Sequence, residues 1–284
     1  MYSRELEGKT YTFGVSGKLW RDALLMYDHQ TRSLWSHITG EAIQGKLKGK
    51  KLKPLVSMPQ IAWKAWKENY PDTRVLSVSY RGKMVESLSH DSYQRYHKSQ
   101  DTGVSGTEYT DKRLPNKQLV IGVQVQRKYG EGGLAGQAGA DGQAGADGQA
   151  GADGKPGDPG AVDQYSTQYR AYPLTQFTKI AMINDTVNGV PLLIFHDIES
   201  FATAAFKRIV DNKVIIFTAI DGHFAQDNSG TEWNLITGKA TKGKHKGKRL
   251  QRLSSVNIYW FAWARFYPKT TIYRNNKSNV HFDF

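Results

Sequence analysis

The sequence predicts a mainly β fold with short α-helices, an α+β arrangement of two related halves in which one half carries a low-complexity, collagen-like loop. Three observations carry this expectation: an internal duplication punctuated by Trp and Gly, short alternating runs bounded by turn residues, and a strict glycine period in residues 130–160.

The duplication orders the chain. Leu34 to Ser57 aligns without gaps to Glu232 to Ser255, so Trp35 meets Trp233, Ile38-Thr39-Gly40 meets Ile236-Thr237-Gly238, and Ala42, Gly45, Gly49, Leu52 and Leu55 meet their own kinds. After one deletion, Trp63, Trp66, Tyr70, Pro71 and Thr73 meet Trp260, Trp263, Tyr267, Pro268 and Thr270. Coincidence of so many rare residues marks a repeated structural unit. Each unit reads as a strand at the first Trp, a tight Thr-Gly turn, a glycine-punctuated basic hairpin, and then a helix. Pro59 suits the first helical turn, Trp63, Trp66 and Tyr70 fall on one helical face, and Pro71 stops the helix. Rings at that spacing are expected to be core anchors, with a ligand-stacking shelf as the other reading.

Further strands follow from local pattern. Thr10-Tyr11-Thr12-Phe13 alternates, and Gly14-Val15-Ser16-Gly17 reads as the turn at its end. Leu119 to Val125 and Tyr169 to Leu174 read as the two strands of one hairpin, Asn188-Gly189 as a turn before a strand through Leu192 to Phe195, and Val214 to Ile220 as another strand. The organisation is therefore a first half over 1–77, short of leading strands, a connecting segment over 78–117, and a second half over 118–284 interrupted by 130–160.

That interruption has glycine at every third position from Gly130 to Gly160, the period a triple helix demands because only glycine fits at its axis. Only Pro156 and Pro159 supply imino acids. A straight rod of this segment would span on the order of 90 Å, whereas the spare residues 127–129 and 161–168 reach only about 40 Å. A hairpin that closes on itself and a straight rod exclude one another in one chain. The expectation is a folded-back or mobile loop, with trimerisation through 130–160 disfavoured; a trimer by light scattering that dissociates on deleting the segment reverses it.

Charge and composition bound the function. The 39 Lys and Arg against 26 Asp and Glu leave a net charge of +13, and because the 130–160 segment is acidic, the remainder carries more. Such a body suits an acidic polymer or protein partner; nucleic acid is the less favoured partner. The absence of cysteine excludes disulfides, thiolate metal sites and a Cys nucleophile. Its apolar runs are too short for a membrane helix, and Met1 to Glu7 has no apolar core of a signal peptide. Neither a Walker loop nor a Rossmann fingerprint occurs, so no cofactor or metal is assigned.

Candidate chemistry is sparse. His196 and Asp197, with Glu199, follow one expected strand, and Asp221 and His223, with Asp227, follow another, so adjacent strand ends are positioned to assemble a metal or acid/base site. Satisfied polar residues at strand ends are the competing reading. Asp28 with Thr31 and Ser33, and Asp227 with Ser229 and Thr231, fit turns in which the carboxylate accepts nearby backbone N–H groups. The basic hairpins, with Lys48, Lys50 and Lys51 in one copy and Lys246, Lys248 and Arg249 in the other, read as solvated turns or as two related anion sites in which glycine N–H groups join the ammonium groups.

The motifs TYTFGVSGKL, LLMYDHQTRSLWSHITGEAI, INDTVNGVPLLIF, WNLITGKA and YWFAWARFYPKT together resemble the prokaryotic family catalogued as domain of unknown function 3179. The resemblance implies an extracytoplasmic or cell-envelope location and brings no activity. It also implies that members begin with a segment equivalent to Val120 to Phe195 leading through a Cys-Pro-x-Cys-like stretch, which copy one lacks here. The functional expectation is a non-catalytic binding or interaction module; the alternative is a metal-dependent or acid/base enzyme with its site between the halves around His196 and His223.

Overall fold

A computed structural model of the chain describes residues 1–55, 60–75, 79–80, 83–84, 93–103, 111–128, 165–177 and 181–275. The fold is mainly β with short helices. In the first half, β1 (Phe13–Trp20), β2 (Ala23–Asp28), β3 (Leu34–Ser36) and β4 (Ala42–Gln44) form an antiparallel meander, followed by α1 (Trp63–Asn69). The connecting segment contributes α2 (Gln94–Lys98).

The second half starts with β5 (Leu119–Lys128) and β6 (Tyr165–Pro173), the expected hairpin, paired from Val120↔Pro173 to Lys128↔Tyr165. The ladder runs farther toward the glycine-periodic segment than the alternation alone placed it; that segment itself, like Pro59, lies outside the described residues. A three-stranded sheet follows, with β7 (Met182–Val187), β8 (Val190–His196) and β9 (Thr203–Lys207). A second meander comprises β10 (Phe217–Asp221), β11 (Phe224–Asp227), β12 (Glu232–Asn234) and β13 (Lys239–Lys242). Then β14 (Ser255–Tyr259) pairs with β5, α3 (Trp260–Phe266) follows, and β15 (Thr271–Ile272) pairs in parallel with β6.

Burial explains the layering. Every residue of β8 is buried, the signature of a strand covered on both faces. On one face Leu192 and Ile194 pack with Ile121, Val123, Val125 and Tyr172 of the hairpin; on the other Leu193 and Phe195 pack with Phe217, Trp233 and Leu235 of the second meander. The outer face of the β5–β6 hairpin is capped by α3, whose Trp260 and Trp263 meet Val120 and Ala171. Gly122 admits the Trp263 ring, which a Cβ there would strike. The first meander has a smaller core of Trp35, Ala42 and Leu52.

The duplication is structural as well as sequential. Gly49 and Gly247 have φ of 86° and 88°, and their N–H groups donate to Ala42 and Ala240 carbonyls at 2.8 and 3.0 Å. Trp66 and Trp263 each donate an indole N–H to a threonine, Thr73 and Thr270, at 2.9 Å. In both loops before the repeated Trp, a buried aspartate gathers donors. Asp28 accepts from the Ser33 amide at 3.1 Å and the Trp35 indole at 2.9 Å, Asp227 from the Thr231 amide at 3.1 Å and the Trp233 indole at 2.9 Å.

Four expectations are corrected. Gly14 to Gly17 is not a terminal turn but lies inside β1, where a register shift between Val15 and Leu19 absorbs the extra residues as a bulge. Thr10 to Phe13 is not one strand: Lys9–Thr10 pairs with Glu5–Leu6, and β1 begins at Phe13. The run from Val214 to Ile220 is broken, because Lys213–Val214 folds back on Ile209–Val210 before β10 begins. Trp63 is 50% exposed rather than a core anchor, whereas its counterpart Trp260 is fully buried; the β5–β6 hairpin that covers α3 has no counterpart over α1 among the described residues.

Candidate functional site

The two halves cross. The β1–β2 hairpin of the first meander meets the second half's helix, and the β10–β11 hairpin of the second meander meets the first half's helix. These two reciprocal junctions differ.

The first is closed. Asp22 at the β1–β2 tip pairs with Arg265 of α3, with the Asp22 side chain only 2% exposed. Arg21 donates from Nη1 to the Arg265 carbonyl at 2.9 Å and lies 4.7 Å from the Trp20 ring, which meets Phe266 edge-on at 5.4 Å.

The second is open. Counted from the residue opposite the repeated Trp, the first hairpin extends from Met26 to its closing residue Ala23, whereas the second runs only from Ala225 to Phe224. That is two residues fewer on the inner arm, about 7 Å of strand. Between the shortened tip and α1 lies a cleft of about 800 Å³ lined by Lys64, Ala65 and Glu68 of α1, His196 to Ser200, and Ile220 to His223. Its α1 wall is anchored by the Ala62 amide on the Ser200 carbonyl and the Asn234 amide on Asn69, both 2.7 Å.

The cleft thus brings together five of the six residues that the sequence placed at one site, His196, Asp197, Glu199, Asp221 and His223, whereas Asp227 is buried beneath the second meander against the Trp233 indole. His196 ends β8 and is 5% exposed, its ring edge-on to Phe177. Its Nδ1 lies 3.3 Å from the Ala202 carbonyl, while Nε2 has no hydrogen-bond partner among the described residues. Burial lowers its pKa despite Asp197 and the Ala202 carbonyl, which act in the opposite sense, so the neutral ring predominates near pH 7. With Nδ1–H donating to Ala202, Nε2 is left as an acceptor. Asp197 organises the turn after β8 by accepting from the Glu199 amide at 3.1 Å and from the Ser200 hydroxyl. Asp221 and Glu199 are exposed, and His223 is half-buried. Among the described residues no group of three or more His, Asp or Glu side chains is placed to hold a metal ion.

Lys64 and Glu68 escaped the sequence reading, because nothing in local pattern says that a helix of one half faces strand ends of the other. One signal was present: in the gapless helix alignment Glu68 stands where copy two has Arg265.

The basic hairpins make a different use of their charges. Lys50 pairs with Glu7 and Lys248 with Asp211, and Arg249 donates to the Thr237 carbonyl at 3.1 Å. The Gly49 and Gly247 amides, and those of Lys48, Lys50, Lys246 and Lys248, donate to backbone carbonyls, so these six are already engaged; Lys51 is exposed. A second cavity, of about 620 Å³, separates the first meander from the β5–β6 hairpin, with Tyr2, Gln124, Tyr169, Asn257 and Tyr267 in its walls.

No helix among the described residues is long and apolar enough to cross a membrane. A family model described as a protein of unknown function (DUF3179) matches residues 1–136 and 160–270. No curated protein and no solved structure matches the chain.

Proposed function

The chain belongs to the DUF3179 family of proteins of unknown function, and on that premise we propose that it is a non-catalytic binding module of the cell envelope whose ligand site is the cleft between α1 and the β10–β11 tip. The carrying observation is His196: a residue 5% exposed, held by Nδ1, with Nε2 unpartnered among the described residues in the wall of a cleft of about 800 Å³. A ring nitrogen left as an acceptor with no protein donor is open to an N–H or O–H donor supplied by a ligand in the cleft. The envelope location rests on the family resemblance alone.

The acid/base reading has one observation in its favour, a neutral imidazole next to two carboxylates, Asp197 and Glu199. Among the described residues that line the cleft the one hydroxyl, that of Ser200, donates to Asp197 rather than to His196.

The test is an NMR screen of small polar fragments against the full chain. Perturbation of the His196 ring and of Lys64 to Glu68 amides, lost in His196→Ala, is the expected result. Fragments that perturb only the second cavity, or a turnover abolished by His196→Ala, contradict the proposal.

A further inference from the structure

We infer that the second cavity, with the groove that continues from it along β5 and β6, binds an uncharged oligosaccharide through the carboxamides of Gln124 and Gln126 and the rings and hydroxyls of Tyr165 and Tyr169. This site shares no residue with the cleft at α1 and stands independently of it.

Strand alternation builds the floor. Val123 and Val125 of β5 enter the core, so Gly122, Gln124 and Gln126 face outward. Opposed residues of an antiparallel pair share a face, and the register sets Tyr169 against Gln124, Thr167 against Gln126 and Tyr165 against Lys128. Under α3 this face is apolar or bare, with Val120, Ala171 and Gly122 against the helix. Past α3 it changes to carboxamides and phenols. There it floors the cavity of about 620 Å³ and an adjoining one of about 570 Å³, which have Tyr2, Pro54, Gln124 and Gln126 in common. Both volumes lie within the roughly 300–1,000 Å³ of small-molecule sites. Tyr165 stands four residues along the strand from Tyr169, about 13 Å, so the groove is long enough for more than one sugar ring.

The polar groups along the floor are uncommitted and held in place. The Gln124 and Gln126 carboxamides and the Tyr165, Tyr169 and Tyr267 hydroxyls have no hydrogen-bond partner among the described residues. Tyr169 and Tyr267 stack at 4.0 Å with 18° between their planes, which fixes two phenols side by side. Burial raises the pKa of both, so both remain O–H donors. The Tyr165 ring is exposed at the other end. In the facing wall, Tyr2 donates its hydroxyl to the Ile38 carbonyl at 2.7 Å, and its ring fills the space that Gly40 leaves. Carboxamides and phenols each donate and accept, as a sugar hydroxyl does, and the rings offer apolar surface to the C–H face of a pyranose.

Charge narrows the ligand. In a chain of net charge +13, the only Asp, Glu, Lys or Arg side chains lining the larger of these two cavities are Glu41 and Lys51, one of each sign. The adjoining cavity adds Lys207 and Arg252, and the Arg252 guanidinium is already held by the Ile236 carbonyl and the Phe206 ring. The floor groups that meet a ligand are neutral, which suits a neutral ligand. An extended peptide is the less suited occupant: it docks by pairing its backbone with a sheet edge, whereas this groove runs across a sheet face and presents side chains.

The experiment is calorimetric and NMR titration of the full chain with maltotetraose and cellotetraose, set against tetragalacturonate and an acetylated, amidated tetraglycine. At least one neutral tetrasaccharide is expected to bind and to shift the side-chain amides of Gln124 and Gln126 while His196 and α1 stay unmoved. Gln126→Ala and Tyr165→Ala, both at exposed positions, are expected to weaken it about tenfold each without lowering the melting temperature, and Tyr169→Phe, which keeps the ring and loses the hydroxyl, about threefold. Binding of neither neutral sugar, tetragalacturonate or the peptide binding as tightly as the better sugar, or sugar affinity unchanged in Gln126→Ala and Tyr165→Ala overturns the inference. Sugar shifts confined to His196 and Lys64 to Glu68 also overturn it, and they leave the α1 cleft standing.

Discussion

The closed junction of the β1–β2 hairpin on α3 and the open junction of the β10–β11 hairpin on α1 are built from the same repeated parts. In the first, a longer hairpin, a buried Asp22 and a basic Arg265 make a contact. In the second, a shorter hairpin and an acidic Glu68 make a cleft. The difference teaches that a duplicated interface becomes a cleft by subtraction: remove reach, reverse one charge on the helix, and the contact opens.

The comparison breaks most decisively at the helices. Trp263 is 2% exposed between Gly122 and Tyr169, whereas its counterpart Trp66 is half-buried and stacks on Tyr70 at 4.4 Å. Trp263→Ala is expected to cost about 3–5 kcal/mol in urea unfolding, and Trp66→Ala about 1–2 kcal/mol, in proportion to the smaller area it covers. Equal losses would mean that α1 is as deeply packed as α3.

The buried aspartates come next and test how alike the repeats are. Burial alone raises the carboxyl pKa of Asp28 and Asp227. The donors around each outweigh it, from Trp35, Thr31 and Ser33 in one copy and Ser229, Trp233 and Thr231 in the other, and the net shift is downward. A lowered folded-state pKa contributes stability that is present above the unfolded value of about 3.9 and is lost as pH falls through the folded value. Asp227→Asn is expected to cost about 1–3 kcal/mol at neutral pH, because an amide has one acceptor oxygen in place of two. Its unfolding curve should approach that of the wild type under acid, and Asp28→Asn should behave alike.

A smaller effect separates the loops themselves. Gly230 has φ of 74°, and the matching residue of copy one is Arg32 at 59°, which lies over the Tyr27 ring at 4.2 Å. Gly230→Ala has open space for its Cβ, so only the left-handed backbone opposes it, at about 1 kcal/mol. Arg32→Gly relieves that strain but loses the ring contact and is expected within about 0.5 kcal/mol of wild type in thermal unfolding. The smallest effect comes from reversing one charge: Glu68→Arg, on the cleft wall opposite exposed Asp221, should stabilise by about 0.5 kcal/mol in the same assay.

Much of this fold was legible because glycine and tryptophan leave little freedom. Gly49 and Gly247 need a positive φ, and Trp35 and Trp233 need a buried acceptor for the indole N–H, so the repeated meander, its Asp-centred turns and the β5–β6 hairpin could be read from residue type and spacing. The cleft was legible by half. His196, Asp197, Asp221 and His223 sit at strand ends that pattern located, but Lys64 and Glu68 arrive through the crossing of the halves, a long-range contact without a local signature. Helical periodicity showed that Trp63 and Trp66 share a face with Tyr70; it carried no information on what lies against that face, and so Trp63 was misjudged. Gly14 and Gly17 signalled a turn because bulges and turns draw on the same residues.

The two-residue shortening of the β10–β11 hairpin has a consequence of parity. Side chains along a strand alternate with a period of two, so an arm that loses an even number of residues keeps every survivor on its original face. Ala225 stays opposite Trp233 as Met26 stays opposite Trp35, and the core beneath the meander does not register the edit. Loss of a single residue would need a bulge, like the one in β1, to keep the two arms of the hairpin in step. The depth of such a cleft is therefore adjusted most simply in steps of roughly 7 Å, and each such step is silent to the rest of the sheet.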